Sequence, residues 1–284
     1  MQRLRISHLT QYDFPARVRL NPHQLLLRPR EGHDVRIESS QLNISPAHNI
    51  HWQRDVYDNS LAVVDFPLMA DRLIITSEVV IQHYEQAPYN FLLETYAANF
   101  PFVYTKNDQI DLAAFQRPLF DTNLLKIWLQ ELNLSGMNTI AALVKLNQTI
   151  QRTFQYRMRE EAGVQPPAST LHKRSGSCRD YATLFIETCR CMGLASRFVS
   201  GYLHAPATEA GHASTHAWAE VYLPGTGWKG FDPTSGVITG NQHIAVAVAR
   251  NPETIPPVSG SFTASFAANP SMLVDVQVNL LGSG

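Results

Sequence analysis

The segment "SGSCRDYATLF", Ser175 to Phe185, decides how the second half of the chain is interpreted. A small, flexible turn stands directly before a cysteine, and a predicted helix follows it. Ser177 and Asp180 have the spacing of a capping box, which makes Ser177 the N-cap and Cys178 the first helical residue. Unpaired backbone N–H groups and the helix dipole stabilise an anion at that position. Cys178 is therefore a candidate nucleophile, and the alternative is a buried cysteine that happens to begin a helix.

The two other cysteines have a structural explanation. Three cysteines in 284 residues argue against a disulfide framework. On one helix Cys178 and Cys189 would lie about 16 Å apart along the axis, too far to bridge or to share a metal ion. Cys189 and Cys191 point to different helix faces, and we expect both to be buried small hydrophobes. Only Cys178 then needs a functional explanation. For Asp180 we favour the capping role over a substrate contact.

Composition excludes several classes of protein. The formal net charge of −1 is spread without long runs of one sign, so it provides no footprint for nucleic acid. No apolar run is long enough to span a bilayer. The first residues, "MQRLRISHLTQYDF", lack the apolar region and cleavage site of a secretory signal. We therefore expect no nucleic-acid or membrane partner and a cytoplasmic location.

The first third of the chain has the pattern of β-structure. Short alternating, β-branched or aromatic runs are bounded by Asn, Asp, Pro and Ser: "RLRISHLTQYDF", "RIESSQLNISP", "LAVVDFP" and "RLIITSEVVIQHY". They predict a β-rich, sandwich-like domain over residues 1–86. Residues 87–120 show less periodicity and are predicted to be a connecting segment.

From residue 121 the pattern changes to α+β. "DTNLLKIWLQEL" and "NTIAALVKLNQTIQRTFQY" have capping residues and helical spacing of apolar residues. After the cysteine helix come "SRFVSGYL", "STHAWAEVYL", "GWKGF" and "HIAVAVA", which are typical of strands. One helix followed by successive antiparallel strands predicts an α+β core over residues 121–250. Residues 251–284 form a tail in which "SFTASF" and "MLVDVQVNL" predict two further strands.

A histidine and an aspartate occupy one face of a predicted hairpin. Two strand-like runs flank the turn sequence "PGTG". A three-residue loop pairs Leu223 with Gly227, so that Trp218 faces Asp232 and His216 is its diagonal neighbour. A shifted register would place His216 directly opposite Asp232, whereas a four-residue loop would separate them onto opposite faces.

This geometry suits a nucleophilic thiol. A base accepts the thiol proton and later protonates the leaving group, while a carboxylate fixes the tautomer of that base. Taken alone, His216 is more simply a hydrogen-bonded, half-buried histidine. Together with Asp232 and Cys178 it forms a candidate Cys-His-Asp triad.

These residues carry a resemblance to a known family. "GSCRDYATLFIETCRCMGLASRFVSGYL" and "HAWAEVYLPGTGWKGFDPTSG" resemble the core of the bacterial transglutaminase-like superfamily, which is related to papain-type cysteine proteases. The resemblance implies that the family's triad maps onto Cys178, His216 and Asp232. "YDFPARVRLNPHQLLLRPR" resembles the β domain commonly fused ahead of such cores. We therefore expect a papain-related core, with the catalytic cysteine at a helix N-terminus packed on an antiparallel sheet, preceded by a β-sandwich-like domain.

Other candidate residues carry weaker signals. The backbone N–H of Cys178 is expected in the oxyanion hole, and Tyr156 and His172 are candidates for a second contributor. Trp218 is predicted to be a half-buried sheet residue that could wall the cleft, and His243 to be structural or at the cleft margin. The histidine pair in "HASTH" lacks the helix and glutamate of a zinc-protease motif, so we predict no metal site.

The predicted reaction is acyl transfer from a peptide or protein amide through a thioester, and it requires no metal or cofactor. Water as acceptor makes the protein a peptidase or amidase, which we favour, and a lysine-like amine makes it a transglutaminase. The alternative from another class is a non-catalytic binding module on the same fold. The oligomeric state does not follow from the sequence.

Overall fold

The computed structural model describes residues 1–84, 88–159, 161–204, 215–265 and 269–282. The boundary predicted at residue 86 therefore lies outside the described residues. In the described part of the chain, no helix combines the length and apolar character needed to cross a membrane.

Strands dominate the first half of the chain, and helices enter from residue 106. The elements there are β1 (Gln2–Leu20), β2 (His23–Leu25), β3 (Val35–Ser45), β4 (Asn49–Arg54), β5 (Ser60–Asp65), β6 (Ala70–His83), α1 (Lys106–Gln116), α2 (Asn123–Leu132) and α3 (Thr139–Thr153). The second half contains β7 (Gln155–Tyr156), α4 (Pro167–Lys173), β8 (Ser175–Gly176), α5 (Cys178–Cys191), β9 (Ser196–Leu203), β10 (Thr215–Leu223), β11 (Gly227–Asp232), β12 (Val237–Ile238), β13 (His243–Ala249), β14 (Val258–Ser259), β15 (Phe262–Thr263) and β16 (Ser271–Leu281).

The N-terminal domain is a sandwich of two antiparallel sheets. One sheet has the order β15-β1-β6-β3, with β16 also paired to β1, and the other has the order β14-β2-β5-β4. Alternation along β1 and β6 turns one set of side chains inward. Val18, Leu25, Val64, Leu73 and Ile75 belong to the apolar cluster of this domain. The predicted β-sandwich is therefore present, because period-two patterns of this kind bury one face of each sheet.

The C-terminal tail returns to the N-terminal domain. β16 pairs antiparallel with β1 from Arg3↔Leu281 to Asp13↔Ser271, and β14 pairs with β2. The β-rich domain is thus assembled from both ends of the chain, an arrangement that local sequence patterns do not encode.

The connecting segment contains a helix that periodicity does not predict. α1 begins after Thr105, whose side chain accepts a hydrogen bond from the Asp108 backbone N–H. Leu112 is the buried residue of this helix. Because α1 lies on the surface and has little apolar face, hydrophobic spacing does not predict it. The capping residue is the sequence feature that could have predicted this helix.

The second half of the chain is an α+β core. Its sheet has the order β12-β11-β10-β9-β13 and every pairing in it is antiparallel. α5 packs on this sheet and is buried along most of its length, from Asp180 to Arg190. Phe185 of α5 stacks on Phe231 of β11, with ring centroids 5.5 Å apart. Burial on nearly all sides explains why α5 is apolar apart from its two ends and its paired charges.

The turn between β10 and β11 sets the register of the site. Leu223 pairs with Gly227 and Ala219 with Phe231, which is the first of the two predicted registers. Gly225 and Gly227 have φ values of +89° and +84°, and glycine adopts this conformation without steric cost. The "PGTG" sequence therefore determines on which face of the sheet Asp232 lies.

Candidate active site

Cys178 occupies the first position of α5, and Asp180 fixes the start of that helix. One Asp180 carboxylate oxygen accepts hydrogen bonds from the Ser177 N–H at 2.8 Å and the Ser177 hydroxyl at 2.9 Å. The other oxygen accepts from Arg159 and from the Gln165 N–H, both at 2.7 Å. Asp180 is fully buried and both of its oxygens are occupied. This supports its structural role at the helix start, and Cys178 itself stays partly exposed.

The β10–β11 hairpin brings His216 and Asp232 together. His216 Nε2 lies 3.0 Å from Asp232 Oδ2. His216 is 7% exposed and Asp232 is 0% exposed. A hydrogen bond between buried, charged partners is among the stronger ones in proteins, because water does not compete for either group.

His216 also lies beside the cysteine. Its Nε2 faces Asp232, its ring lines the same cleft as Cys178, and the thiol influences the pKa of His216. Because Nε2 faces Asp232, Nδ1 is the ring nitrogen left for the Cys178 thiol. An ionised carboxylate can only accept, so Nε2 must carry a proton, and in the neutral ring Nδ1 is then a proton acceptor. The carboxylate thereby selects the tautomer that a base for this thiol requires.

The electrostatics of the pair favour the charged forms. Burial opposes the imidazolium, but hydrogen bonds to Asp232 and Cys178 outweigh it and raise the pKa of His216 to about 10. Burial likewise opposes the Asp232 carboxylate. Hydrogen bonds from His216 and His243 nevertheless hold the pKa of Asp232 well below its usual range. An ionised Asp232 beside a protonatable His216 is the resting arrangement.

Tyr156, one of the two weaker candidates, lies next to the cysteine. β7 runs parallel to β8, and Tyr156 pairs there with Gly176, two residues before Cys178. Its hydroxyl is close enough to Cys178 for both the thiol and the backbone of that residue to influence its pKa. Burial of the hydroxyl, followed by the influence of Cys178, raises the pKa of Tyr156 to about 12. The phenol thus stays protonated and able to donate at neutral pH.

The remaining candidates lie elsewhere. His172 is exposed on α4, where it lines a depression with Leu124 and Trp128 of α2 rather than the cysteine cleft. Trp218 is buried on the opposite face of the sheet from α5, in a cluster with Val199 and Val248. It therefore backs the histidine and does not wall the cleft. His212 of "HASTH" lies outside the described residues.

Sequence reasoning missed further groups around Asp232. Ser235 Oγ donates to Oδ2 at 2.7 Å, and the Thr234 N–H donates to Oδ1 at 2.9 Å. His243 Nε2 lies 3.2 Å from the same Oδ2. The signal for Ser235 and Thr234 was present in "DPTS", since an aspartate commonly accepts from the backbone two residues on. His243 was predicted to be structural or at the cleft margin, but its contact with Asp232 had no local signal, because it lies on another strand.

Of the two other cysteines, Cys189 is buried as predicted, whereas Cys191 is partly exposed. Cys189 is fully buried, and burial raises its pKa well above the ordinary value. Burial also raises the pKa of Cys191 to about 11. Both stay protonated at neutral pH, so a thiol reagent used at that pH has little access to either thiolate.

A cleft of about 520 Å³ opens at the cysteine. Cys178 and His216 lie at one side of it, and Phe198, Ile255 and Val258 contribute apolar surface. Ile255 and Val258 come from the tail beyond residue 250, so the tail forms part of the cleft wall. A cleft of this size and character accommodates a peptide-like ligand with an apolar side chain.

Comparisons with known proteins agree with the two halves of this architecture. Residues 128–233 match the model of the transglutaminase-like superfamily, and residues 4–82 match that of the bacterial transglutaminase-like N-terminal region. An uncharacterised protein of Mycobacterium tuberculosis is 26% identical over 293 residues, which cover 98% of this chain and 92% of the relative. A Mycobacterium leprae protein is 33% identical over 110 residues, covering 37% of this chain and 39% of the relative.

One solved structure resembles the whole chain. It is described as "a Putative Cysteine Protease from Cytophaga hutchinsonii", with a TM-score of 0.77 and 18% sequence identity, covering 100% of this chain and 92% of that one. At this identity the likeness concerns the fold. Together with the two matched regions, it identifies the chain as a member of the bacterial transglutaminase-like superfamily, with the family's core preceded by its N-terminal β region.

Proposed function

We propose that the protein catalyses cysteine-dependent acyl transfer on amide bonds, with Cys178, His216 and Asp232 as its triad and water as the usual acceptor. The observation that carries this proposal is the position of His216. Its Nε2 lies 3.0 Å from the Asp232 carboxylate, and its ring shares one cleft with a thiol at a helix N-terminus. That arrangement contains the nucleophile, the base and the orienting group that the reaction requires.

The steps follow from the ring nitrogens of His216. Nδ1 of the imidazolium already holds the Cys178 proton when the Sγ thiolate attacks the amide carbonyl carbon, and a C–S bond forms. Collapse of the tetrahedral intermediate breaks the C–N bond, while the same proton passes from His216 to the leaving amine. Water then attacks the thioester, His216 takes its proton and returns it to the Cys178 sulfur, and a carboxylic acid leaves. Asp232 stays ionised throughout.

The developing oxyanion requires donors near Cys178. The Cys178 backbone N–H at the start of α5 is one donor. Tyr156 supplies the other in this proposal, because it pairs with Gly176 beside the helix start and its hydroxyl stays protonated at neutral pH. A substrate carbonyl oxygen placed between these two groups would accept from both.

The cleft indicates the kind of acyl donor. Phe198, Ile255 and Val258 line it close to Cys178 and His216, so we propose a peptide or protein substrate with an apolar side chain near the scissile amide. The fold shared with the Cytophaga hutchinsonii structure, which is described as a protease, agrees with hydrolysis.

The first experiment measures thiol reactivity. Limiting iodoacetamide is applied from pH 5 to 10, and the modified peptide is mapped by mass in wild type, His216→Ala and Asp232→Asn. Because the imidazolium persists up to about pH 10, we expect Cys178 alkylation in wild type to be nearly constant between pH 7 and 9. His216→Ala should react at least about tenfold more slowly at pH 7, as an unassisted thiol does. Cys189 and Cys191 serve as internal controls.

Two results would redirect the proposal. A Cys178 that reacts no faster than a model peptide thiol, or that is indifferent to His216→Ala, would support a non-catalytic binding module. If the thiol is activated, an apolar glutamine-containing peptide is incubated with a tagged amine. Release of ammonia without incorporation of the tag is expected for hydrolysis, whereas stable incorporation would make the protein a transglutaminase.

A further inference from the structure

The Asp232 carboxylate has more hydrogen-bond partners than a triad aspartate requires. Its Oδ2 is approached by His216 Nε2 at 3.0 Å, His243 Nε2 at 3.2 Å and Ser235 Oγ at 2.7 Å. Its Oδ1 accepts from the Thr234 N–H at 2.9 Å. Because an ionised carboxylate has no proton to donate, both histidines must carry their proton on Nε2.

We propose that His243 is a positioning residue of the active site, and that its Nε2–H holds the Asp232 carboxylate in the orientation that serves His216. The proposal rests on the function proposed above and adds a second histidine to it. His243 acts through Asp232 and contacts no substrate in this role.

The sheet brings the second histidine into reach through a glycine. Gly201 of β9 pairs with His216 on one side and with Ala245 of β13 on the other. A Cβ at Gly201 would lie 2.6 Å from Trp218 Cη2 and 2.2 Å from the Ile244 carbonyl oxygen. Gly201 therefore provides the space in which the Trp218 indole crosses β9.

The Trp218 indole then separates and orients the two imidazoles. Its centroid lies 6.2 Å from that of His216 and 5.3 Å from that of His243, with the latter contact edge-on. Because the indole packs against both imidazole rings, it restricts their orientation, and each Nε2 points to the same carboxylate oxygen. The titratable groups that contact His243 are Asp232 and, through its backbone carbonyl, His83 of β6 at 3.2 Å; the His216 ring lies 6.2 Å away.

Packing alone does not account for a histidine at position 243. The side chain is 4% exposed, and its Nδ1 is buried without a hydrogen-bond partner among the described residues. Burying an unpaired ring nitrogen is destabilising, and an apolar ring of similar size would avoid that cost. The bond from Nε2 to Asp232 is the polar contact of this side chain that offsets it.

The consequence for the proposed catalysis is that the Asp232 carboxylate keeps one orientation. The bond from His243, together with those from Ser235 and Thr234, restricts rotation of the Asp232 side chain. If the carboxylate rotates, His216 loses the acceptor that fixes its tautomer, and Nδ1 is no longer aimed at the Cys178 thiol. We expect this displacement of His216 Nδ1 to slow the reaction while the contacts with substrate stay the same.

The test compares three replacements of His243. His243→Gln keeps an amide N–H close to the position of Nε2, whereas His243→Asn has an amide too short to reach Asp232, and His243→Phe has no donor. We expect Cys178 alkylation at pH 7 to fall about tenfold in the Asn and Phe variants and to remain within about threefold of wild type in the Gln variant. His23→Phe is the matched control, since His23 is also buried but bonds to the Asn21 backbone carbonyl.

A second measurement follows the tautomers directly. In wild type selectively labelled with ¹⁵N-histidine, the ring shifts should show Nε2 protonated in both His216 and His243. In His243→Phe the His216 Nε2–H signal should broaden or shift, because its acceptor is less restrained. A structural role for His243 alone would lower thermal stability but would leave the His216 signal and the difference between Gln and Asn unchanged.

Each outcome separates this inference from the proposed function. If wild-type alkylation does not depend on His216, the proposed function fails and this inference fails with it. If wild type is activated but the Asn and Phe variants react at the wild-type rate, only the role of His243 is overturned. A bare Nε2 in His243 also overturns it, whatever the reaction rates.

Discussion

At the scale of single residues, the site depends on which atom of each side chain faces the next. Asp232 faces His216 Nε2, which leaves Nδ1 for Cys178. Tyr156 reaches the same cysteine from a short parallel strand pair, β7 with β8. Tyr156 is 49% exposed, so this residue lies at the surface rather than in the core. In the proposed reaction His216 transfers the proton, and Tyr156 and the Cys178 N–H stabilise the oxyanion.

This division predicts that Tyr156→Phe slows acylation more than alkylation. Attack on p-nitrophenyl acetate passes through an oxyanion, and losing one donor should lower the acylation rate about a hundredfold. Alkylation by iodoacetamide forms no oxyanion and should change little. Nitrophenolate release and iodoacetamide mapping are measured on the same preparations. The control is Tyr181→Phe, because Tyr181 packs beside Tyr156 but its buried hydroxyl has no partner among the described residues. Equal losses in both reactions would assign Tyr156 a general structural role instead.

At the scale of elements, the start of α5 is held by one buried carboxylate. Asp180 accepts from Ser177, Gln165 and Arg159, so the helix, the preceding turn and the loop before α4 meet at a single side chain. Gly176 is needed there, because a Cβ on it would lie 2.8 Å from the Asp180 Cβ. The capping box visible in the sequence is therefore also a tertiary anchor for the strand pair that carries Tyr156.

Asp180→Asn tests whether Asp180 only caps α5 or also fixes the loop before α4 to the helix start. The change removes the negative charge of a buried carboxylate and leaves Arg159 with only the exposed Glu161 as an ion-pair partner. It should lower the free energy of unfolding by about 2 to 4 kcal/mol. Urea denaturation with linear extrapolation measures it. The control is Asp108→Asn in the exposed capping box of α1, where Thr105 Oγ1 donates at 2.8 Å and the expected loss is about 1 kcal/mol or less. Similar losses in the two variants would mean that Asp180 is only a local cap.

At the scale of the whole molecule, the two halves share one hydrophobic core. Leu4 and Ile6 of β1 belong to the same buried cluster as Tyr202 and Ile244 of the α+β core and Val276 of β16. The Tyr202 hydroxyl hydrogen-bonds His8 of β1 at 3.0 Å. The tail thus closes the N-terminal domain and packs against the α+β core, so we expect the described parts to unfold together.

Val276→Asp tests this coupling. Val276 is 3% exposed, and a carboxylate at that position has to be buried without a partner or break the packing of β16. We expect the midpoint of urea unfolding to fall strongly, by the same amount whether it is followed by circular dichroism or by loss of His216-dependent Cys178 alkylation. Val274→Asp is the matched control on the same strand, since Val274 is 44% exposed and should tolerate the charge. Separate midpoints for the two probes would show that the halves unfold independently.

Much of the fold and of the candidate site follows from local sequence. Strand-like runs predicted β1, β3, β6 and, in the sheet of the α+β core, β9, β10, β11 and β13, because alternation directly reports one buried face of a strand. The capping box placed Cys178 at the start of a helix, and "PGTG" limited the hairpin to registers that bring His216 towards Asp232. The resemblance to the superfamily lies in the same segments. A few residues in each of them determine the helix start at Cys178 and the register of the hairpin.

Tertiary structure alone decided the rest. The exposed helix α1 and the strand β4 carry weak apolar patterns, because little of either is buried. The tail returns to β1 across as many as 278 positions, from Arg3 to Leu281. Tyr156 lies 22 positions from Cys178 and His243 lies 11 positions from Asp232, each on a different element from its neighbour in the candidate site. Local patterns report which face of an element is buried and how it begins or ends. They do not report which distant element covers that face, because this depends on the pairing order and packing of the whole chain.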